Sequence, residues 1–267
     1  MPNIEENVTL WNDNYNWKKQ GDEWSDTWGG AKAQWFGTML PRIHNFLLTD
    51  TILEIAPGFG RWTQFLKNHC NHLVVVDLSE ECIKPCKKRF ETSNNIAYYV
   101  NDGKSLQMLE DESIDFVFSF DSLVHAEAEV LEAYLNQLAT KLKPNGVGFI
   151  HHSNLKTFQS YLSLTNKLPD RVKSYLNKKG FYATNYHWRA TSVDAELFEK
   201  LCEKAELYCF SQELINWGTE HLIDTFSLFC KNNITLDRAN QVFKNKNFMN
   251  EASYCKRLSG LYNYGNP

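Results

Sequence analysis

The sequence lacks the features that mark membrane, secreted and nucleic-acid-binding proteins. No stretch approaches the roughly 18 consecutive apolar residues that a membrane-spanning helix needs. The polar, acidic first ten residues contain no apolar core of a secretory signal. The 28 basic and 32 acidic side chains leave a net charge of −4, which gives no overall attraction to nucleic acid or to anionic membranes. We therefore expect a cytoplasmic protein that binds neither nucleic acid nor membranes. We also expect it to be a monomer or a homodimer.

The sequence also lacks a disulfide framework and a recognisable metal site. Its seven cysteines are odd in number and scattered along the chain. Cys82 and Cys86 are four residues apart in a helical pattern, where two small apolar side chains packed on one helix face are the expected interpretation. The histidine spacings match no zinc pattern. We predict reduced thiols and no metal.

Alternating strand and helix patterns predict an α/β fold. Apolar runs rich in β-branched residues, typical of buried strands, alternate with amphipathic helical patterns from residue 51 onwards. A long helical pattern at 127–142 ends at the breaker cluster Lys143-Pro144-Asn145-Gly146. The alternation indicates a parallel sheet covered on both faces. The predicted strands are residues 51–57, 73–77, 96–100, 114–120 and 147–151, followed by strand-like runs at 207–211 and 225–230 that could form a hairpin at the sheet edge.

A glycine-rich turn follows the first predicted strand and precedes a helix. Gly58 and Gly60 allow the backbone to approach a ligand there, with the amide groups of the helix N-terminus directed at it. Asp77 ends the next strand, where an acidic side chain can accept hydrogen bonds from a ribose diol. Asp102 ends the third strand, where it could meet an adenine amine or simply close a turn. The pattern predicts a cofactor that contains a nucleoside.

Two classes of cofactor fit such a loop, and two residues separate them. A dinucleotide-binding loop has the pattern G-x-G-x-x-G, but Thr63 occupies the third glycine position when the pattern begins at Gly58. Glu54 lies inside the first strand, where a dinucleotide has no need of an acid but a cofactor with sulfonium and ammonium groups does. Both residues favour S-adenosylmethionine over NAD(P).

With these residues the chain resembles the class I S-adenosylmethionine-dependent methyltransferases. Their first motif, acidic-x-G-x-G-x-G, is matched by Glu54, Gly58 and Gly60, with Ala56 at the first glycine position and Pro57 departing from the commonest form. The resemblance covers residues from about 50 to 230. It implies a Rossmann-like three-layer sandwich with a seven-stranded, mostly parallel sheet and an antiparallel last strand. Shorter pieces resemble bacterial members found near glycan or secondary-metabolite pathways, at 28–30, 34–35, 41–43, 120–125 and 148–153.

The resemblance also implies which residues hold the cofactor. Asp77 would bind the ribose hydroxyls, and Asp102 and Gly103 would flank the adenine. Phe120 and Asp121, after the fourth strand, would lie beside the sulfonium. The methionine and ribose part of the cofactor would be lined by Glu54, Ala56, Gly58 and Gly60.

Methylation of a hydroxyl is helped by a base that takes its proton. The candidates are the histidines near strand ends, because ligands of open α/β sheets bind there. Strand periodicity directs His151 and His152 to opposite faces, so at most one of them faces the site. We predict that His152 does and that it is the base. His125, one helical turn beyond Asp121, is a second candidate for base or acceptor positioning, with Asp121 beside it. A hydrogen-bonded structural histidine is the alternative in each case.

Aromatic residues concentrate outside the predicted sheet, in the first 35 residues and in the insertion after the fifth strand. Either group could pack as ordinary core. The functional alternative is a lid that buries the cofactor and stacks on a flat or sugar-like acceptor. An arginine there could bind an anionic acceptor, and Arg189 could instead pair with Glu213. The predicted acceptor-binding residues are Trp35, Arg42, His187, Trp188 and Arg189.

These features divide the chain into an N-terminal helical cap (1–48), a methyltransferase core (49–154 and 191–231), an inserted lid (155–190) and a C-terminal extension (232–267). The predicted activity is O-methylation of a sugar or other small metabolite by in-line displacement. N-methylation of an amine or peptide is the alternative. A nicotinamide-dependent oxidoreductase and a non-catalytic cofactor-binding partner are less consistent with the glycine loop.

Overall fold

One mixed sheet of eight strands runs through the part of the chain that the structure describes. The structure is a computed structural model and describes residues 4–9, 11–12, 15–17, 19–181, 188–231 and 239–262. The strands lie in the order β3-β2-β1-β4-β5-β7-β6-β8 across the sheet. They are β1 (Thr49–Ile55), β2 (Cys70–Asp77), β3 (Ile96–Val100), β4 (Ile114–Ser119), β5 (Leu142–Ser153), β6 (Tyr208–Ile215), β7 (Asp224–Cys230) and β8 (Gln241–Asn245).

Helices cover both faces of this sheet. They are α1 (Ile4–Thr9), α2 (Ala31–Gln34), α3 (Leu40–Ile43), α4 (Thr63–Leu66), α5 (Glu80–Arg89), α6 (Ala128–Lys141), α7 (Gln159–Asn166), α8 (Asp170–Lys178), α9 (Ala195–Lys204) and α10 (Phe248–Leu261). A π-helical turn, Trp35–Met39, joins α2 to α3. Ser79 caps α5, because its hydroxyl accepts a hydrogen bond from the Cys82 amide at 3.1 Å. No helix among the described residues is long and apolar enough to cross a membrane.

Two apolar clusters, one on each face of the sheet, join the sheet to the helical layers that cover it. Leu53 and Ile55 of β1 pack on one face against α6 and α9, whereas Ile52 of the same strand packs on the other face against the helical region 31–43 and α10. This alternation follows from the period of two along a strand. The predicted α/β Rossmann-like sandwich is confirmed.

The predicted count of seven strands is wrong, because an eighth lies in the segment assigned to a C-terminal extension. Strands β1 to β5 are parallel, β7 is antiparallel to both β5 and β6, and β8 pairs with β6 in parallel. Four of the five residues of β8 are exposed. Since an exposed strand has no buried face, it shows none of the apolar alternation by which a strand is recognised in a sequence.

The order of the strands fixes where a ligand can bind. The chain passes from β1 to β2 on one side, and later places β4 on the other side of β1. This reversal opens a crevice at the carboxyl ends of β1 and β4, which is where open α/β sheets hold their ligands.

Gly60, in the loop after β1, cannot carry a side chain. Its φ is +89°, and a Cβ there would lie 2.4 Å from Cε2 of Phe90. We expect Gly60→Ala to lower the free energy of unfolding by about 2–4 kcal/mol through strain and overpacking. Gly260→Ala is the matched control, because a Cβ at that position in α10 meets nothing within 4 Å. This substitution should raise the free energy of unfolding by up to about 1 kcal/mol, since alanine favours a helix more than glycine does. Urea unfolding of both variants tests this, and equal midpoints would contradict it.

Candidate functional site

A cavity of about 1200 Å³, including its open mouth, lies above the carboxyl ends of β1, β2 and β4. Its floor is the glycine loop, its sides are the ends of β2 and β4 and the start of α6, and its roof is the N-terminal segment. Among its lining residues are 56–59, Arg61, Trp62, Asp77, Gly103, 120–123 and His125.

The glycine loop and Asp77 are tied to each other. Asp77 is 6% exposed and accepts hydrogen bonds from the backbone amides of Gly58 at 3.1 Å and Ser79 at 2.9 Å. Burial raises the pKa of Asp77 to about 6, although these amides oppose that shift. Ala56 and Gly58 both have positive φ, near 57°. The loop therefore bends sharply over the end of β1, and the structure brings Ala56, Gly58 and Asp77 together on the cavity wall.

Three of the residues predicted to contact the cofactor do not line this cavity. Gly60 packs beneath the loop against Phe90. Glu54 is 1% exposed and accepts a hydrogen bond from the Thr63 hydroxyl at 2.6 Å, between the sheet and α4. Burial raises the pKa of Glu54 to about 8, so this carboxyl is largely protonated at neutral pH. Its burial and its hydrogen bond to Thr63 keep the Glu54 side chain off the cavity wall.

Asp102 is the third. It is exposed, and its Oδ1 accepts hydrogen bonds from the backbone amides of Lys104 at 3.0 Å and Ser105 at 2.7 Å. These bonds make the strand-ending turn that was the alternative interpretation. The neighbouring Gly103, with φ +86°, does line the cavity.

The roof comes from the N-terminal segment. The ring of Trp17 stacks on Phe59 of the glycine loop with centroids 4.2 Å apart and planes 7° from parallel. Trp11 lies over His125, with ring centroids 5.6 Å apart. The side chain of Asn12 is hydrogen-bonded to the Ser79 hydroxyl. An aromatic roof is thus supplied by described residues between positions 4 and 24, while the described parts of the insertion, 155–181 and 188–190, contribute no lining residue.

Phe120 and Asp121 directly follow the end of β4 and line the cavity. Asp121 has φ 62°, and its backbone amide donates to Nδ1 of His151 at 3.1 Å. Its carboxylate pairs with Arg61 at 2.8 Å. Phe120 is 2% exposed and packs edge-on against Trp62. Arg61 was not among the predicted site residues, although its position directly after Gly60 could have pointed to it.

His125 lines the cavity with its tautomer fixed. Its Nδ1 lies within hydrogen-bond distance of the Trp188 carbonyl oxygen, and because a carbonyl only accepts, this nitrogen carries the proton. Nε2 is therefore the unprotonated nitrogen. Desolvation lowers the pKa of His125. A neutral imidazole with a free lone pair is the form that a general base requires.

The predicted orientation of His152 is wrong. His152 is fully buried, stacks on Phe198 of α9 with centroids 4.3 Å apart, and bonds through Nε2 to the Ser227 hydroxyl at 2.8 Å. Desolvation lowers its pKa to about 3. His151 points the other way, as the period of two predicts, and reaches Asp121 and Asp224 rather than the cavity. Neither side chain lines the cavity.

Most of the predicted acceptor-binding residues lie away from the cavity. Trp35 is fully buried and stacks on Phe65. Arg42 joins α3 to β6 and α10 through ion pairs with Glu213 at 2.7 Å and Glu251 at 2.8 Å. It is thus Arg42, not Arg189, that pairs with Glu213. Both residues are better explained by packing than by acceptor binding.

The remaining predicted acceptor-binding residues are adjacent in sequence, at 187–189. Arg189 pairs with Asp224 at 2.6 Å and is 4% exposed, so it does not meet an acceptor. Trp188 is 37% exposed and reaches the site through its carbonyl group. His187 lies outside the described residues.

Comparisons with known proteins agree on the kind of domain. The sequence model of the family described as "Methyltransferase domain" matches residues 52–146. Phosphoethanolamine N-methyltransferase 1 of Triticum aestivum is 31% identical over 105 residues, which are 39% of this chain and 21% of that protein. Ribosomal RNA small subunit methyltransferase A of Coxiella burnetii is 35% identical over 54 residues, 20% of this chain and 21% of that protein.

Solved structures give the same answer for the fold. The PH0226 protein of Pyrococcus horikoshii superposes with a TM-score of 0.56 at 18% identity, covering 87% of this chain and 100% of that one. The complex of DhpI with SAH superposes at 0.54 and 18% identity, covering 85% and 95%. Residues 52–146 therefore form a methyltransferase domain, and the chain has the fold of the S-adenosylmethionine-dependent methyltransferases.

The predictions of family and of S-adenosylmethionine as cofactor are thereby confirmed. The matches span about a fifth of the length of these curated relatives. The methyltransferase domain matched at 52–146 contains most of β1, β2 to β4, the glycine loop and His125, but not the N-terminal roof. The floor and sides of the cavity therefore lie within the matched residues, whereas the roof lies outside them.

Proposed function

We propose that this chain transfers the methyl group of S-adenosylmethionine to a hydroxyl of a small metabolite, such as a sugar, held under the N-terminal roof. The observation that carries the proposal is the single cavity in which the glycine loop and Asp77 face His125. The bound cofactor supplies a methyl group already activated by its positive sulfur. The protein's task is then to hold both molecules, align the acceptor oxygen and exclude water.

The cavity has a place for each part of the cofactor. Asp77 would accept hydrogen bonds from the ribose hydroxyls, since it is held at the end of β2 and is largely ionised above pH 6. Gly103 would lie beside the adenine, and Ala56 and Gly58 beside the methionine part. Phe120 would pack near the sulfur. The neighbouring carbonyl oxygen of Ala56 already accepts from the Ser122 hydroxyl at 3.0 Å, which stiffens this wall.

His125 is the base that we propose for the acceptor hydroxyl. Its Nδ1 proton is held by the Trp188 carbonyl, which leaves the Nε2 lone pair to take the proton that the hydroxyl loses. Its lowered pKa keeps it neutral at physiological pH. Trp11 shields it from above. Asp121, paired with Arg61, would orient the acceptor or the cofactor beside it.

An amine is the second candidate acceptor. It is favoured by the similarity to phosphoethanolamine N-methyltransferase 1 over 105 residues, and by the carboxylates of Asp121, Glu127 and Glu129 around the cavity. An amine can lose its proton to solvent, so turnover would depend far less on His125. We do not propose nucleic acid as the acceptor, because the net charge is −4 and the similarity to the ribosomal RNA enzyme spans 54 residues.

Titration calorimetry with S-adenosylhomocysteine tests the cofactor site. We expect binding by the wild type and an affinity about 10- to 100-fold lower for Asp77→Ala, because a charged acceptor for two hydroxyls is lost. Asp102→Ala is the matched control: it removes an acid that caps an exposed turn and should leave the affinity unchanged. Equal losses in the two variants would contradict the assignment of Asp77.

A further inference from the structure

The helical insertion after β5 carries a charge opposite to that of the rest of the chain. Residues 155–181 contain six basic side chains and one acidic one, whereas all the other residues together contain 22 basic and 31 acidic ones. The net charge of −4 therefore combines a strongly basic segment with an acidic remainder. Five of the six basic residues are exposed, so the segment attracts anionic partners over about one Debye length, roughly 8 Å at physiological ionic strength.

The second helix of this insertion, α8, directs apolar side chains outward. None of its nine residues is buried, and Val172 and Tyr175 are 40% and 61% exposed. Leu164 of α7 and Phe181 after α8 are 68% and 49% exposed. A surface helix of a globular domain normally packs its apolar stripe against the core. The stripe of α8 has no such cover from the described part of the chain.

The basic side chains of α8 border this apolar stripe and do not interrupt it. Val172 and Tyr175 are three residues apart and lie on one face of the helix. With about 3.6 residues per turn, Arg171 and Lys178 lie along one border of that face and Lys173 along the other. This is the arrangement of helices that lie in the plane of a membrane, where the apolar stripe enters the acyl boundary and long cationic side chains reach the headgroups.

The insertion is fixed to the domain on its other side. Phe158 and Leu162 pack in the apolar cluster of Ile223, and the Gly180 carbonyl after α8 accepts a hydrogen bond from the Thr219 hydroxyl at 2.9 Å. The insertion follows the carboxyl end of β5, which is parallel to β4, so it leaves the sheet at the edge where the cavity lies. A surface that binds α8 would therefore contact the molecule at this same edge.

We propose that α7 and α8 dock this protein on an anionic membrane surface. The basic side chains supply the attraction to anionic headgroups, and the exposed apolar side chains supply the burial that holds the helix in the interface. Nucleic acid is another anionic surface, but the aliphatic side chains of Leu164 and Val172 offer no ring on which a base can stack. The total charge predicts no attraction to membranes, whereas the charge of this segment does. The proposal does not depend on which acceptor is methylated.

Sedimentation with lipid vesicles tests the proposal. We expect the wild type to bind vesicles of phosphatidylcholine mixed with phosphatidylserine, to bind phosphatidylcholine alone far more weakly, and to be released by added salt. The double variant Arg171→Gln/Lys178→Gln should bind the mixed vesicles about 25-fold more weakly, because each cation at the surface contributes about fivefold. Lys87→Gln/Lys88→Gln is the matched control, since it removes the same charge from exposed positions of α5 and should bind nearly as the wild type does.

The apolar stripe is tested by Tyr175→Ser. We expect binding to the mixed vesicles to weaken about tenfold, because an apolar ring no longer enters the interface. Tyr254→Ser is the matched control, since Tyr254 of α10 is 63% exposed and lies outside the insertion. All four variants replace surface side chains, so they should bind S-adenosylhomocysteine as the wild type does, which also shows that they are folded.

Three results would overturn the proposal. The first is a wild type that does not bind the mixed vesicles, or that binds both kinds of vesicle equally. The second is an equal effect of the insertion variants and their controls. The third is tighter binding of a uridine oligonucleotide than of the mixed vesicles, lost in Arg171→Gln/Lys178→Gln but kept in Tyr175→Ser, which would assign the basic segment to nucleic acid.

Discussion

Replacing His125 by glutamine is expected to lower kcat about 100- to 10,000-fold with a hydroxyl acceptor, while the affinity for S-adenosylhomocysteine stays near that of the wild type. Glutamine can still donate to the Trp188 carbonyl, which now accepts from Nδ1 of His125, but it has no lone pair basic enough to take the acceptor proton. The loss therefore falls on turnover rather than on binding. Single-turnover rates at saturating cofactor separate the two.

The pH profile of the wild type provides a second measurement of the same residue. Desolvation lowers the pKa of His125 below its ordinary value of about 6.5. We expect kcat to be flat at neutral pH and to fall only in more acidic solution, when the imidazole becomes protonated. The Gln variant should lack this acidic limb.

His152→Gln is the control for His125. Both residues are histidines near strand ends, but His152 bonds to Ser227 and stacks on Phe198 in the core. Its replacement should lower stability and leave kcat per folded molecule unchanged. An equal fall in kcat for both variants would exclude His125 as the base. A small effect of His125→Gln alone would favour the amine acceptor, because an amine does not depend on a protein base.

The cofactor half of the site could be predicted from the sequence because its signals are local. Gly58 and Asp77 each follow directly from the strand that precedes them, and the family pattern fixes their spacing. The choice between His151 and His152 could not be made in this way. Strand periodicity states correctly that they face opposite sides, but both sides of a sheet covered by helices are buried, so burial alone does not show which side the cavity adjoins.

The residues around the acceptor could not be predicted from the sequence, because their contacts join residues that are far apart in the chain. Arg42 looked available for an anion, yet its partners Glu213 and Glu251 are 171 and 209 residues away. Glu54 looked like a cofactor contact because it sits at the family position, but its side chain turns into the layer between the sheet and α4 and meets Thr63. Pairings of this kind depend on the packing of whole layers, which no short pattern encodes.

Asp224→Ala is expected to lower the free energy of unfolding by about 3–5 kcal/mol, because it leaves the buried Arg189 without its counter-ion. Asp224 is fully buried, accepts from Arg189 at 2.6 and 2.7 Å, and lies 3.4 Å from Nε2 of His151. Arg189 directly follows Trp188, whose carbonyl holds His125, so kcat should fall as well. Asp170→Ala is the matched control, since Asp170 is fully exposed beside Lys173 and should change stability by less than about 0.5 kcal/mol.

The stability of the Asp224–Arg189 pair should also depend on pH, in a direction that follows from the pKa of Asp224. Burial alone would raise the pKa of Asp224, but Arg189 and His151 outweigh that effect and hold the pKa well below its ordinary value. A carboxylate whose pKa is lower in the folded protein stabilises it above the unfolded pKa of about 3.9, and this contribution is lost as the pH falls toward the folded value. Urea unfolding between neutral pH and pH 3 should therefore show a steeper acid loss in the wild type than in Asp224→Ala. Parallel curves, or a variant within 1 kcal/mol of the wild type at pH 7, would show that the pair contributes little.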